Sequence, residues 1–183
     1  RIDISILSRF YKEMIMNYPL ATSTWDEHEK KVIYDVIESG MCTMSTHVRT
    51  FETDFARYVG SKYAVMVNSG SSANLIMTAA LFYTKNNPLK AGDEVIVPAV
   101  SWPTTYYPLY QYGLKLKFVD IDKDTLNFDM QKLADAVTDR TKLIMVVNLL
   151  GNPNNFSVLK QIIGNREITF IEDNCESLGA TFE

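Results

Sequence analysis

Between residues 63 and 172 short apolar runs alternate with longer amphipathic stretches, and this alternation restricts the fold more than any other feature. Five runs read as strands, at residues 63–67, 94–97, 116–121, 142–147 and 168–172. The stretches between them, near 72–84, 103–112, 129–137 and 156–163, read as helices or turns. Parallel strands need a crossover of a dozen or more residues, so this order predicts an α/β domain with a mostly parallel sheet. Two further helices precede it. Thr24-Trp25-Asp26-Glu27 reads as a capping box with Thr24 at the N-cap, opening a helix with Val32, Ile33, Val36 and Ile37 on one face and Gly40 at its end. A second helix over 47–59 carries a stripe of Val48, Phe51, Phe55 and Val59.

A chain of 183 residues with 46% hydrophobic and 22% charged residues has the composition of an ordinary soluble globular domain. No segment approaches the ~20 apolar residues of a membrane span, and the start lacks the pattern of a secretory signal. A net charge of -4 argues against a surface built for nucleic acid. Cys42 and Cys175 lack metal-ligand spacing, so no metal site is expected, and two isolated thiols fit a reducing cytoplasm. Position 1 is Arg rather than Met, and residues 173–183 are rich in motifs, so the expectation is a piece of a longer protein. Residues 1–22 are expected to be a lead-in, and 23–183 part of a ligand-binding domain.

Ligands of parallel sheets collect at the carboxyl ends of the strands, which singles out four loops, 68–73, 98–105, 148–154 and 173–179. Asn68-Ser69-Gly70-Ser71-Ser72-Ala73-Asn74 places small residues at a helix start, where unpaired N–H groups suit a phosphate; an ordinary capped turn is the alternative. Ser101-Trp102-Pro103-Thr104-Thr105 puts a Trp just beyond a strand end, either offering a flat face to an aromatic ligand or serving as core. Asp173 and Glu176 follow the last strand. A carboxylate buried there needs a partner such as a protonated ring nitrogen, although Asp173 also suits a helix cap. One ligand with a phosphate, a flat ring and a basic ring nitrogen is pyridoxal 5′-phosphate (PLP).

From about Asn17 to Glu183 the chain resembles the DegT/DnrJ/EryC1/StrS family of PLP-dependent sugar aminotransferases. The matching stretches are residues 68–73, Gly92-Asp93-Glu94-Val95-Ile96-Val97-Pro98, Phe118-Val119-Asp120-Ile121, Leu150-Gly151-Asn152-Pro153 and residues 172–180. The resemblance implies an aspartate-aminotransferase-like (type I) fold whose large domain has three layers, α/β/α, here truncated and without its small C-terminal domain. It implies that Gly70 and Ser71 hold the cofactor phosphate, Trp102 stacks on its ring, Asp173 pairs with the ring nitrogen and Glu176 lies beside it. Family members more often carry Phe where Trp102 stands, His or Gln at Glu176, and His-Leu-Tyr-Gly where this chain reads Asn148-Leu149-Leu150-Gly151. These departures resemble the family's 3-dehydratase branch.

That branch implies removal of the C3 hydroxyl from a nucleotide-linked 4-keto-6-deoxy sugar, GDP-4-keto-6-deoxymannose, for surface polysaccharide. PLP would alternate with its amine form, pyridoxamine 5′-phosphate (PMP), with glutamate as amino donor. In that branch a His replaces the usual PLP-binding Lys, at a position expected beyond Glu183, so no catalytic residue is expected within the chain. A Lys there would instead support a sugar 4-aminotransferase of the perosamine type, and a non-catalytic fragment is the reading of another class. His28 is expected to face solvent and His47 to have no role as a base. The expected partners are a nucleotide sugar and glutamate, with no nucleic acid and no membrane, in a cytoplasmic homodimer.

Overall fold

The structure, a computed structural model, describes residues 22–182, so the expected lead-in over 1–22 lies almost wholly outside the described residues. Two compact units divide between Arg49 and Thr50. In the first, helix α1 (Glu27–Ser39) is capped by Asp26, not by Thr24 as the sequence predicts: Asp26 Oδ1 accepts from the His28 N–H at 2.7 Å, and the Asp26 N–H donates to Glu29 at 2.8 Å. Two overlapping capping boxes compete here. Asp is the stronger capping residue at the positive helix end, and its choice keeps Glu27 and Glu29 in the first turn. Gly40 ends α1 as predicted, at φ 67° in the left-handed region that a Cβ disfavours. The apolar stripe of α1 is present, and none of its residues is buried.

Helix α2 (Thr46–Tyr58) follows. The run at 63–67 is then a correction to the expected strand count, for among the described residues it pairs with no strand. Its groups turn to local partners instead: the Met66 N–H donates to the Glu52 carboxylate at 2.8 Å, and the Tyr63 carbonyl accepts from Ser61 Oγ at 2.9 Å. Tyr63 and Val65 are 75% and 71% exposed. Strand propensity alone does not hold an extended segment in place without a ladder to satisfy its backbone. Helix α3 (Gly70–Phe82) starts earlier than predicted because Ser69 caps it, its Oγ accepting from the Ser72 N–H at 3.2 Å.

The remaining four runs form the sheet: β1 (Glu94–Pro98), β2 (Lys115–Val119), β3 (Thr141–Val147) and β4 (Thr169–Asp173). Their order is β2-β1-β3-β4 and every pair is parallel. The run at 116–121 stops at Val119; Ile121 makes only an isolated antiparallel bridge to Phe128. Helix α4 (Pro103–Gln111) links β1 to β2, α5 (Met130–Ala136) links β2 to β3, and α6 (Phe156–Ile163) links β3 to β4.

Side chains alternate across the sheet as a strand period of two requires. Ile96, Ile144 and Val146 pack on one face with Leu133 of α5 and Leu159 of α6. Val95, Val97, Leu143 and Met145 pack on the other with Leu109 of α4 and the partly buried Met77 and Leu81 of α3. The domain is therefore three layers, α/β/α. Strand β3 is buried along almost its whole length, as expected of a parallel strand covered on both faces.

In the full-length protein, Ile144→Ala is expected to cost about 3 kcal/mol by creating a cavity in the fully buried strand. The exposed Lys115→Ala should lie within about 0.5 kcal/mol of the wild type, both read from urea unfolding. A polypeptide of residues 1–183 alone, with Tyr63 and Val65 uncovered, is expected to melt with poor cooperativity and to bind a hydrophobic dye; a sharp melt without dye binding would contradict this.

Candidate active site

Asp173 closes β4, and its carboxylate is buried at 8% exposure. Oδ2 accepts two side-chain hydrogen bonds, from Asn74 Nδ2 and Thr105 Oγ1, each at 2.9 Å. Oδ1 accepts the Cys175 N–H at 3.2 Å, the local turn bond of a capping Asp. All three donors are neutral, so among the described residues the negative charge has hydrogen bonds but no cation. A buried carboxylate in this condition is suited to one protonated nitrogen.

These bonds also join the predicted loops. Asn74 lies in the first turns of α3, four residues after Gly70, and its amide reaches the Thr104 carbonyl at 3.4 Å as well as Asp173. Gly70 and Ser71 supply the first N–H groups of α3, which a helix cannot satisfy internally. Thr105 lies in the first turn of α4, which opens with Trp102 at the N-cap and Pro103 at the first helical position. Trp102 is 71% exposed, so it is not core among the described residues. Behind it, Tyr106 donates to the Pro98 carbonyl at 2.7 Å, and burial pushes its phenol above the usual range.

Glu176 is placed differently from Asp173. It accepts the Leu150 N–H at 2.7 Å, tying the loop after β4 to the loop after β3. Leu150 sits at φ 54°, a left-handed conformation uncommon for a branched side chain, and Gly151 follows at φ 85°. Amides hold the rest of that loop. Asn148 Oδ1 accepts from the Asn154 N–H at 3.0 Å, Asn148 Nδ2 donates to Asn174 Oδ1 at 2.7 Å, and Asn127 Nδ2 donates to the Asn152 carbonyl at 3.0 Å.

Of the predicted residues, the structure links Asp173 to the starts of α3 and α4, which carry Gly70, Ser71 and Trp102, and assigns Glu176 to the neighbouring loop. A groove of about 640 Å³ beside β4, lined by Asn148, Phe156, Glu172 and Asn174 among others, includes none of the five. His28 and His47 are both exposed. Among the described residues, no group of three His, Cys, Asp or Glu is placed to hold a metal, and no helix is long and apolar enough to cross a membrane. Sequence reasoning missed Asn74 and Thr105. A signal existed for Asn74, which with Thr78 forms a polar i, i+4 pair in an otherwise apolar helix; both are buried.

Cys175 reports on this carboxylate. Although Cys175 is exposed overall, desolvation of its thiol, then Asp173 and Glu176 beside it, push it up to about 11. The thiol therefore stays protonated, and slow to alkylate, until the pH rises toward that value. Asp173→Asn removes a charge that raises it, so Cys175 should react with iodoacetamide several-fold faster at pH 8, as peptide mass spectrometry would show. An unchanged rate would mean that the carboxylate does not act on the thiol.

Residues 23–183 match the model of the DegT/DnrJ/EryC1/StrS aminotransferase family. The chain is 64% identical to a GDP-4-keto-6-deoxy-D-mannose 3-dehydratase of Escherichia coli O55:H7, over 92% of this chain and 43% of the relative. It is 59% identical to the enzyme of the same name from Yersinia pseudotuberculosis, with the same coverage. A crystal structure of GDP-4-keto-6-deoxymannose-3-dehydratase with a trapped PLP-glutamate geminal diamine superposes with a TM-score of 0.88 at 65% identity, covering 91% of this chain and 43% of that one. The chain thus spans less than half the length of these relatives. The three-layer parallel fold, the motifs at its strand ends and these likenesses agree: the chain belongs to the DegT/DnrJ/EryC1/StrS aminotransferase family.

Proposed function

We propose that this chain is the N-terminal part of a PLP-dependent nucleotide-sugar 3-dehydratase, acting on GDP-4-keto-6-deoxymannose with glutamate as amino donor. The observation that carries this reading is the buried Asp173 carboxylate, hydrogen-bonded among the described residues by neutral groups alone at the carboxyl end of the sheet. The identity of 64% to a 3-dehydratase supports the substrate, and the glutamate adduct in a relative's crystal structure supports the donor.

The residues fit the cofactor. Asp173 would meet the protonated ring nitrogen and hold that proton in place. The N–H groups of Gly70 and Ser71, at the positive end of α3, would hold the phosphate. Trp102, exposed at the start of α4, would cover one face of the ring. Glu176, through Leu150, would fix the loop bordering the site. Bound PLP or PMP supplies an electron sink for bond cleavage next to the sugar ketone. The C3 hydroxyl would leave as water, and the 3-deoxy product would appear with an equal amount of ammonia. A product of this kind serves surface polysaccharide such as one containing colitose, and a cytoplasmic homodimer is the setting in which we place the intact protein.

The competing activity is a sugar 4-aminotransferase, favoured by the family as a whole. Loading the full-length protein with PLP, reducing it with borohydride and weighing it separates the two. PLP bound by its spectrum, with no covalent adduct after reduction, is the expected result. An adduct on lysine would assign the aminotransferase, and no bound PLP would overturn both.

A further inference from the structure

We infer that Asn74 and Thr105 are positioning residues that fix Asp173 through Oδ2 and turn Oδ1 toward the ligand; the inference rests on the cofactor reading above. A carboxylate oxygen has two lone pairs, and both of those on Oδ2 are engaged, by Asn74 and Thr105 at 2.9 Å. Among the described residues Oδ1 accepts the longer bond from the Cys175 N–H at 3.2 Å, which leaves it one lone pair, and the Cys175 thiol beside the carboxylate is a weak donor. An incoming N⁺–H therefore meets Oδ1.

The two donors are themselves held. Asn74 is 5% exposed and its carbonyl accepts from Thr78 Oγ1 at 2.8 Å. Thr105 is 1% exposed, and its hydroxyl lies 3.1 Å from Ser101 Oγ. Its one proton goes to Asp173 when Ser101 donates to it, so the chain Ser101–Thr105–Asp173 runs in a single direction. Asn74 adds a second function, because its amide also donates to the Thr104 carbonyl. One side chain thereby sets the spacing between the start of α3, the start of α4 and the end of β4. A ligand that touches phosphate donors, a stacking ring and a carboxylate at once needs that spacing fixed.

The test uses three variants of the full-length protein, Thr105→Val, Thr105→Ser and Asn74→Leu, titrated with PLP and followed by absorbance across pH. Thr105→Val keeps the shape and removes the donor. It is expected to bind PLP about tenfold more weakly and to move the pH at which the bound cofactor's absorbance titrates by about one unit. Thr105→Ser keeps the hydroxyl and should restore both within about twofold, which a purely packing role would not predict. Asn74→Leu is expected to lose more than tenfold, because it also frees α3 from α4. Should that variant fail to fold, the Val and Ser pair at position 105 decides alone. Wild-type affinity and an unshifted titration in Thr105→Val would overturn the inference while leaving the cofactor reading intact. A wild-type protein that binds no PLP would overturn the cofactor reading itself.

Discussion

The carboxylate of Asp173 is the point on which the rest of the site depends. It is buried, ionisable and hydrogen-bonded by residues from two helices that are distant in sequence. Burying a charge without a cation is costly, and neutral donors recover only part of that cost. The three-layer fold makes the arrangement tenable. Strand β3 and its neighbours bury an apolar core on both faces, and the polar residues gather beyond the strand ends, where the backbone ladder no longer needs them. Stability and chemistry are thus separated along one axis of the sheet.

A second set of polar contacts frames the first. The loop after β3 is held by asparagine amides and by Glu176, with Leu150 kept in a conformation that costs about 1 kcal/mol or more for a non-glycine residue. Amides suit this work because each offers donor and acceptor at once, so a few of them satisfy many backbone groups in a tight space. Asn148 and Asn154 illustrate this, for one amide accepts from the other's backbone while donating to Asn174.

Much of this architecture was legible in the amino-acid sequence. Four strands and the helices between them follow from apolar periodicity, whereas the caps that fix their ends, such as Asp129 before α5 and Asn155 before α6, emerge only in the structure. The run at 63–67 favours a strand by its residues, but a strand also needs neighbours to pair with, and among the described residues it has none. Asp26 replacing Thr24 shows a limit, since two adequate caps compete and only their relative strength decides. Within the site, Asp173 and Trp102 stand out by type and place. Asn74 and Thr105 do not, because their importance comes from which atom they reach across the sheet.

The reach of Asn74 also sets an order in time. Its bond to Asp173 closes a loop of 99 residues, and that of Thr105 closes one of 68. Contacts so far apart in the chain form slowly, because the entropy of closing the loop must be lost before the contact rewards it. Asp173 closes β4, so the pairing of β4 with β3 brings the carboxylate to its donors. A ligand that recognises the assembled site would therefore favour the paired sheet over its precursors, drawing β4 into place by mass action.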